Sequence, residues 1–377
     1  MKNNKMNAIV ISDVHIGNNR IDDNKMLKAL RDVFCSQTSQ NALIDSINTF
    51  FIAGDLWDRL LSLNHPNLDN IINSLTFILR ECKRRMIRIY VLEGTKSHEW
   101  AQSELLVSLN RASGIEADLY YIKELSIWHD DRFNMDLLFV PDDLHHDHSI
   151  IYSQVDSKLK EKQLEQVDLA IMHGMFKHQV PANLNLPCHD NTLYENIVRY
   201  GIFIGHVHLR SELGKIYAQG SFGRISHNEE DPKGYYHFWF DEQHVFHTEF
   251  IENTQAELFI TVDCSGLDTS QTLAKVQEVV RTVGEDVTLR IKSEASNPIF
   301  SNLSELYNAF PMVRFSEPKK IVEKKKVKKV ELKHAAFIPT VINKDNIGSL
   351  IHERLKRKDF TDPKLLTIIT KAVEELR

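Results

Sequence analysis

Six short apolar runs, most of them leading straight into a histidine- or aspartate-bearing segment, constrain this chain more than any other feature. They lie at residues 8–12, 49–53, 87–92, 137–140, 169–172 and 201–204. Their length and their bounding turn residues predict β-strands. Helix-period segments fall between several of them, at 23–34, 68–85 and 100–112. In the second, Ile71, Ile72, Leu75, Ile78, Leu79 and Cys82 recur at helical spacing, and Gly114 is a stop signal for the third. Strands alternating with helices predict a layered α/β fold. Beyond residue 204 the pattern turns β-rich, with runs at 216–218, 235–240 and 245–251. A second, smaller unit then reads strand (257–262), helix (270–283), strand (287–291), helix (303–309), strand (312–315).

The 377 residues leave room for more than one domain. Cys35, Cys82, Cys188 and Cys264 are scattered with no CxxC, which excludes a disulfide framework and a cysteine zinc site. The apolar run at 8–11 is too short for a signal peptide, and no later run has the length of a membrane span, so an intracellular, soluble protein is expected. The net charge of −6 is uneven. Residues 319–333 carry +6 and residues 334–377 carry +2, which leaves residues 1–318 at −14. So acidic a body opposes bulk electrostatic binding of nucleic acid. It permits a local site where metal ions neutralise carboxylates.

Five motifs carry chemistry, and each directly follows a predicted strand. Asp13 and His15 follow the first, Asp55 and Asp58 the second, and Ser97, His98 and Glu99 the third. His173 follows the fifth, and His206 and His208 the sixth. Ligand sites in α/β sheets gather at the carboxyl ends of strands, so separate loops can bring these side chains together. Imidazole with carboxylate suits Mn, Fe or Zn better than Mg. Two Asp and four His are too many for a single catalytic ion with an open position and suit two ions sharing a carboxylate. Such a pair activates water and clamps a phosphate for in-line displacement.

The constellation DxH, GDxxD, GxxSH(D/E), HG and GHxH, from Asp13 to His208, resembles the calcineurin-like metallophosphoesterase superfamily. The resemblance implies a two-layered β-sandwich flanked by helices, with two divalent ions, most simply Mn2+. Asp13, His15, Asp55 and His208 would hold the first ion; Asp55 would bridge to the second, held also by His173 and His206. It makes His98 the catalytic histidine, able to protonate a leaving oxygen, and Asp58 a support for a ligand histidine. Where the superfamily has GNHD this chain has Gly94-Thr95-Lys96-Ser97-His98-Glu99. Ser97 stands where the amide ligand is usual, and a hydroxyl is a weaker ligand, so the second site is expected to bind less tightly.

That variant resembles SbcD-type nuclease subunits of phage and bacterial recombination systems. The stretch Gly220-Ser221-Phe222-Gly223-Arg224, followed by Asn228-Glu229-Glu230 and Lys233-Gly234-Tyr235, fits the same subfamily and makes Ser221 and Arg224 candidates for substrate contact. The resemblance implies a nuclease domain over 1–252, an α/β DNA-binding cap over 253–317, a Lys-rich linker over 318–345 and a helical pair over 346–377. The expected partners are DNA, an SbcC-type SMC-like ATPase docked on the helical pair, and a second copy of the chain joined through the helices 68–85 and 100–112. The expected activity is hydrolysis of DNA phosphodiester bonds in the cytoplasm. A phosphoprotein phosphatase or small-molecule phosphodiesterase is the first alternative, and a DNA-end-binding scaffold without turnover is the second. His145, His146 and His148 read as a surface loop, and Trp57 and Trp100 as packing around the site.

Overall fold

The structure is a computed structural model and describes residues 5–35, 43–142, 147–181, 183–184 and 186–321. The chain divides into two compact units, Met1–Val322 and Glu323–Arg377. The expected helical pair over 346–377 and most of the Lys-rich linker lie outside the described residues, as do His145 and His146.

Four strands, β1 (Asn7–Ile11), β2 (Thr49–Ala53), β3 (Arg88–Leu92) and β4 (Leu119–Ile122), are parallel neighbours in a first sheet. Six more build a second sheet: β5 (Ser126–Asp130), β6 (Met135–Val140), β7 (Val167–Gly174), β8 (Val198–His206), β9 (Ser211–Leu213) and β10 (Ile216–Ala218). Of these, β6, β7 and β8 are parallel. The chain then returns to the first sheet, where β11 (Gly234–Phe240) and β12 (Phe246–Glu252) add antiparallel strands beside β1. On the outer face of the first sheet lie α1 (Asp23–Asp32), α2 (Leu68–Arg85) and α4 (Glu104–Ala112), with the single turn α3 (Lys96–Glu99) in the loop after β3. The second sheet is covered by α5 (His148–Glu161) and α6 (Asn191–Ile197).

The result is a β-sandwich flanked by helices, and the period-2 alternation of the strands explains it. In β1, Ile9 and Ile11 face the helices, while Ala8 and Val10 face the other sheet. In β7, Ala170 and Met172 face α5 and α6, while Leu169 and Ile171 face inward. The layer between the sheets is rich in rings: Phe51 stacks on Tyr90, and Phe203 on Phe238. Each such fully buried side chain contributes roughly 1.5–3 kcal/mol.

A smaller sheet follows. It holds β13 (Leu258–Asp263), β14 (Val287–Glu294), β15 (Arg314–Phe315) and β16 (Lys319–Ile321), with β14 at the centre and all pairings parallel. Its helices are α7 (Thr269–Val283), started by an Asp268–Gln271 capping box, and α8 (Leu303–Ala309). Residues 319–321, expected to begin the linker, instead pair with β14.

Two predicted features differ. The helix expected over 100–112 is broken, because Trp100 and Ala101 are both left-handed, at φ 41° and 61°. His148 opens α5 rather than lying in a loop, since the Asp147 carboxylate accepts the Ser149 N–H and caps that helix. All four cysteines are free. No helix among the described residues is long and apolar enough to cross a membrane.

Candidate metal centre

The parallel strands β1, β2 and β3 end at the same edge of the sandwich as β6, β7 and β8, and the loops after them converge there. Hydrogen bonds stitch the two sheets together at this edge. The His173 Nδ1–H donates to the Ala53 carbonyl at 2.7 Å, and the His206 N–H donates to both Asp13 oxygens at 3.0 Å. The first bond fixes the tautomer that leaves Nε2 of His173 as a ligand.

Glycines permit this approach. A Cβ on Gly54 would lie 2.2 Å from His173 Nδ1, and one on Gly205 2.6 Å from the Ala53 carbonyl. The donors themselves sit on an unusual backbone. Asp13, His15, Asp55 and His206 all have positive φ, at 51°, 53°, 50° and 100°. Non-glycine residues hold such angles at a cost of order 1 kcal/mol or more each, and they concentrate where side chains must be aimed.

Three overlapping groups result, each with ligand atoms within 4.8 Å of one another: Asp13, His15 and His208; His15, Asp55 and His98; Asp55, His173 and His206. Nε2 of His15 and Nε2 of His208 approach to 3.0 Å. Asp55 links the groups. Its Oδ2 lies 3.9 Å from His15 Nε2 and 3.3 Å from His98 Nδ1, and its Oδ1 lies 3.3 Å from His173 Nε2.

The donor set fits divalent cations. Asp13 and Asp55 are buried, at 0% and 2% exposure, and among the described residues neither pairs with a lysine or arginine. A buried carboxylate without a cation is costly. The ionisable groups that pair with these two among the described residues are imidazoles. Burial alone would raise the Asp55 carboxyl, but His173, His98 and His15 outweigh it and hold it below the usual carboxylate range. Burial would lower His173, and Asp55 reverses that and raises it. Burial depresses His15 despite Asp13 and Asp55. His98 is raised, first by Asp55.

Two residues that the motifs do not single out as donors stand among them. The Thr95 N–H donates to Asp55 Oδ1 at 2.6 Å, and its Oγ1 lies within 3.0–3.4 Å of Asp142, Asp55, His173 and His206. Asp142 Oδ2 is 3.6 Å from His206 Nδ1. Asp142 follows β6 directly after Pro141, the same strand-end position that marked the other donors. Ser97, by contrast, lies exposed in α3, so Thr95 rather than Ser97 supplies the hydroxyl at the second group.

Other residues hold the donors. Asp58 is 3.6 Å from His15 Nδ1, accepts from Asn18 and pairs with Arg59. The Glu229 carboxylate accepts from His208 Nδ1 at 3.2 Å and is held by Ser221, Ser226, Ile225 and the buried Lys233. Burial would raise Glu229, but His208 and Lys233 bring it down to about 2. Ser221 is therefore buried behind His208, and Arg224 donates to the carbonyls of Ala256 and Asp231; neither reaches the donor groups. The Glu99 carboxylate accepts N–H bonds from Leu56 and Gly94, both 2.6 Å, and clamps the loops after β2 and β3. Burial pushes it up to about 8. Trp57 is buried and donates to Ser103, whereas Trp100, expected to pack, is 69% exposed at its left-handed turn.

No family model and no curated protein matches the chain. Solved structures do. One crystal structure is 13% identical, with a TM-score of 0.38, over 66% of this chain and 99% of its own. The crystal structure of TT1561 of Thermus thermophilus is 8% identical, with a TM-score of 0.36 over the same shares. The chain's own geometry is that of an α/β sandwich whose converging strand ends carry His/Asp groups that could hold divalent cations.

Proposed function

We propose that the chain is a two-metal phosphodiesterase acting on DNA, the cytoplasmic nuclease subunit of an SbcCD-like recombination or repair complex. The observation that carries the hydrolase reading is Asp55, a buried carboxylate whose two oxygens face different imidazole groups and, among the described residues, no lysine or arginine. Asp13, His15, His208 and Asp55 would hold one ion, and Asp55, His173 and His206 the other, with Thr95 and Asp142 beside the second. Imidazole with carboxylate favours Mn2+ over Mg2+. Bound there, the ions supply an activated water and neutralise charge on a phosphate.

The residues supply the rest. Asp55 faces His98 Nδ1 at 3.3 Å, which turns the other ring nitrogen to a leaving oxygen. Asp55 also favours the protonated ring, so His98 serves as the general acid. Glu229 holds His208 through Nδ1, and Ala53 holds His173, so the donors are oriented before substrate arrives. The DNA specificity rests on the sequence resemblance. That resemblance also assigns residues 346–377 to an SbcC-type ATPase and pairs two copies through α2 and α4.

Hydrolysis of linear single-stranded DNA with Mn2+, beside p-nitrophenyl phosphate, tests the reading. Cleavage of DNA with little phosphatase activity is expected. The reverse result makes the chain a small-substrate phosphatase, and neither activity makes it a binding scaffold. Deleting 340–377 should abolish co-purification with the ATPase and leave cleavage of short DNA intact, and light scattering should report a dimer.

A further inference from the structure

The chain has four tryptophans, and three of them have partners within it. Trp57 is buried and donates to Ser103 Oγ, Trp128 packs among Tyr90, Tyr120 and Phe139, and Trp239 stacks between His237 and His247. The Trp100 indole has neither a ring contact nor a hydrogen bond among the described residues, and it is 69% exposed. A large aromatic left in water forgoes the burial that would stabilise it. Its backbone is also held in the left-handed region, at φ 41° and ψ 49°, where a bulky residue is strained.

The turn that displays this ring is anchored on both sides. The Trp100 N–H donates to the Lys96 carbonyl at 3.1 Å, and the Gln102 N–H to the Glu99 carbonyl at 2.7 Å. Between them the Ala101 N–H donates to the Glu93 carboxylate at 2.7 Å. The Gln102 side chain ties in the loop that follows Asp58, accepting from the Leu61 N–H at 2.7 Å and donating to the Arg59 carbonyl at 3.2 Å. An aromatic ring on so fixed a turn has little freedom left to lose when a ligand binds.

Its place in the chain selects the ligand. Trp100 follows His98 by two residues, so their Cα atoms lie within about 7 Å of each other. A substrate whose leaving oxygen meets His98 therefore carries its neighbouring group to the indole. Residues 1–318 have a net charge of −14, so the rim gains most from a contact that does not depend on charge. A nucleobase supplies one by stacking, because every base has a π face. Bases in a duplex already stack on their neighbours, and only an unpaired base is open to the ring.

We infer that Trp100 stacks on the unpaired base beside the scissile phosphate and so selects single-stranded over double-stranded substrate. The inference rests on the nuclease reading and adds a substrate contact outside the donor set. It is tested by titrating dT12, an abasic strand of the same length and phosphate number, and a blunt duplex into the full chain with Ca2+, following tryptophan emission and anisotropy of the labelled strands. The wild type should bind dT12 about tenfold more tightly than the abasic strand, with its emission quenched. Trp100→Ala should lose the quench and bind dT12 about tenfold more weakly, and its preference for dT12 over both other ligands should shrink to match. Its slope of log K against log[salt] should stay unchanged, since no phosphate contact is removed. Trp100→Phe should restore much of the affinity and Trp100→Leu should not, with melting temperature and Mn2+ stoichiometry confirming the fold of each variant. If the wild type binds dT12 and Trp100→Ala binds it as tightly, or if the salt slope falls with the affinity, Trp100 does not stack and the nuclease reading stands. If light scattering shows that Trp100→Ala turns a dimer into a monomer, the ring belongs to an interface between copies and the inference is overturned. If the wild type binds none of the three ligands, the nuclease reading fails and this inference with it.

Discussion

Asp55 is the residue on which the two donor groups depend, since it faces both and is buried at 2% exposure. Asp55→Asn keeps its shape and removes its charge. Turnover on DNA should fall below detection, and metal analysis should show less than two ions bound per chain. Thr95 gives a sharper test. Its hydroxyl lies among Asp142, Asp55, His173 and His206, so Thr95→Val should weaken the second ion by about tenfold in titration, the value of one lost polar contact of roughly 1.4 kcal/mol. Ser97→Ala should leave both affinities unchanged, because Ser97 is exposed on α3. The contrast shows what spacing reveals at this scale. Six His and Asp donors are legible because each lies at or just beyond the carboxyl end of a strand. The hydroxyl is not, because counting back from His98 assumes the usual loop, whereas here α3 starts at Lys96 and turns Ser97 outward. Asp142 carried the same strand-end signal after Pro141, but the Asp142-Asp143 pair completed none of the five motifs.

The break between α3 and α4 shows what periodicity cannot see in an element. Apolar spacing runs through residues 100–112 without interruption, yet Trp100 and Ala101 turn left-handed and the helix restarts at Glu104. The cause is electrostatic. Glu99 is drawn inward to the N–H groups of Leu56 and Gly94, and the Ala101 N–H donates to Glu93, so the backbone bends between two buried carboxylates. Ala101→Gly should therefore stabilise the protein by about 1 kcal/mol, read as a higher denaturation midpoint, since glycine accepts φ 61° without strain. If the midpoint falls instead, the left-handed turn is not strained. The strands that the sequence hides are short or edge-placed. Residues 119–122 and 126–130 carry half-exposed positions, and their partners β3 and β6 define them more than their own residues do.

For the whole molecule, the uncompensated carboxylates and the buried histidines make stability depend on ions and on protons. Divalent ions that bind the folded chain alone should raise its melting temperature, by the equivalent of roughly 2.7 kcal/mol at a hundredfold excess over Kd, and a chelator should reverse this. A thermal scan with no response to Mn2+ would sink the metal assignment. Protons act in a different place. His189 is buried among Phe176, Tyr194 and His148 on the outer side of the second sheet, and burial, then His148, lower its pKa to about 3. Its ordinary value is 6.5, so between pH 6.5 and 3 the unfolded chain takes up a proton that the folded chain refuses. This contribution is complete above pH 6.5 and is lost as pH falls through the window. The loss amounts to roughly 3 kcal/mol by pH 4. His189→Phe keeps a ring in the same aromatic surroundings and removes the titration. Compared in chelator at each pH, so that the metal-ligand histidines cancel between the two proteins, the wild type should lose more stability than the variant from pH 6.5 to 4. Parallel pH profiles would mean that His189 finds a proton-accepting partner in the folded chain, and its burial would then carry no acid sensitivity.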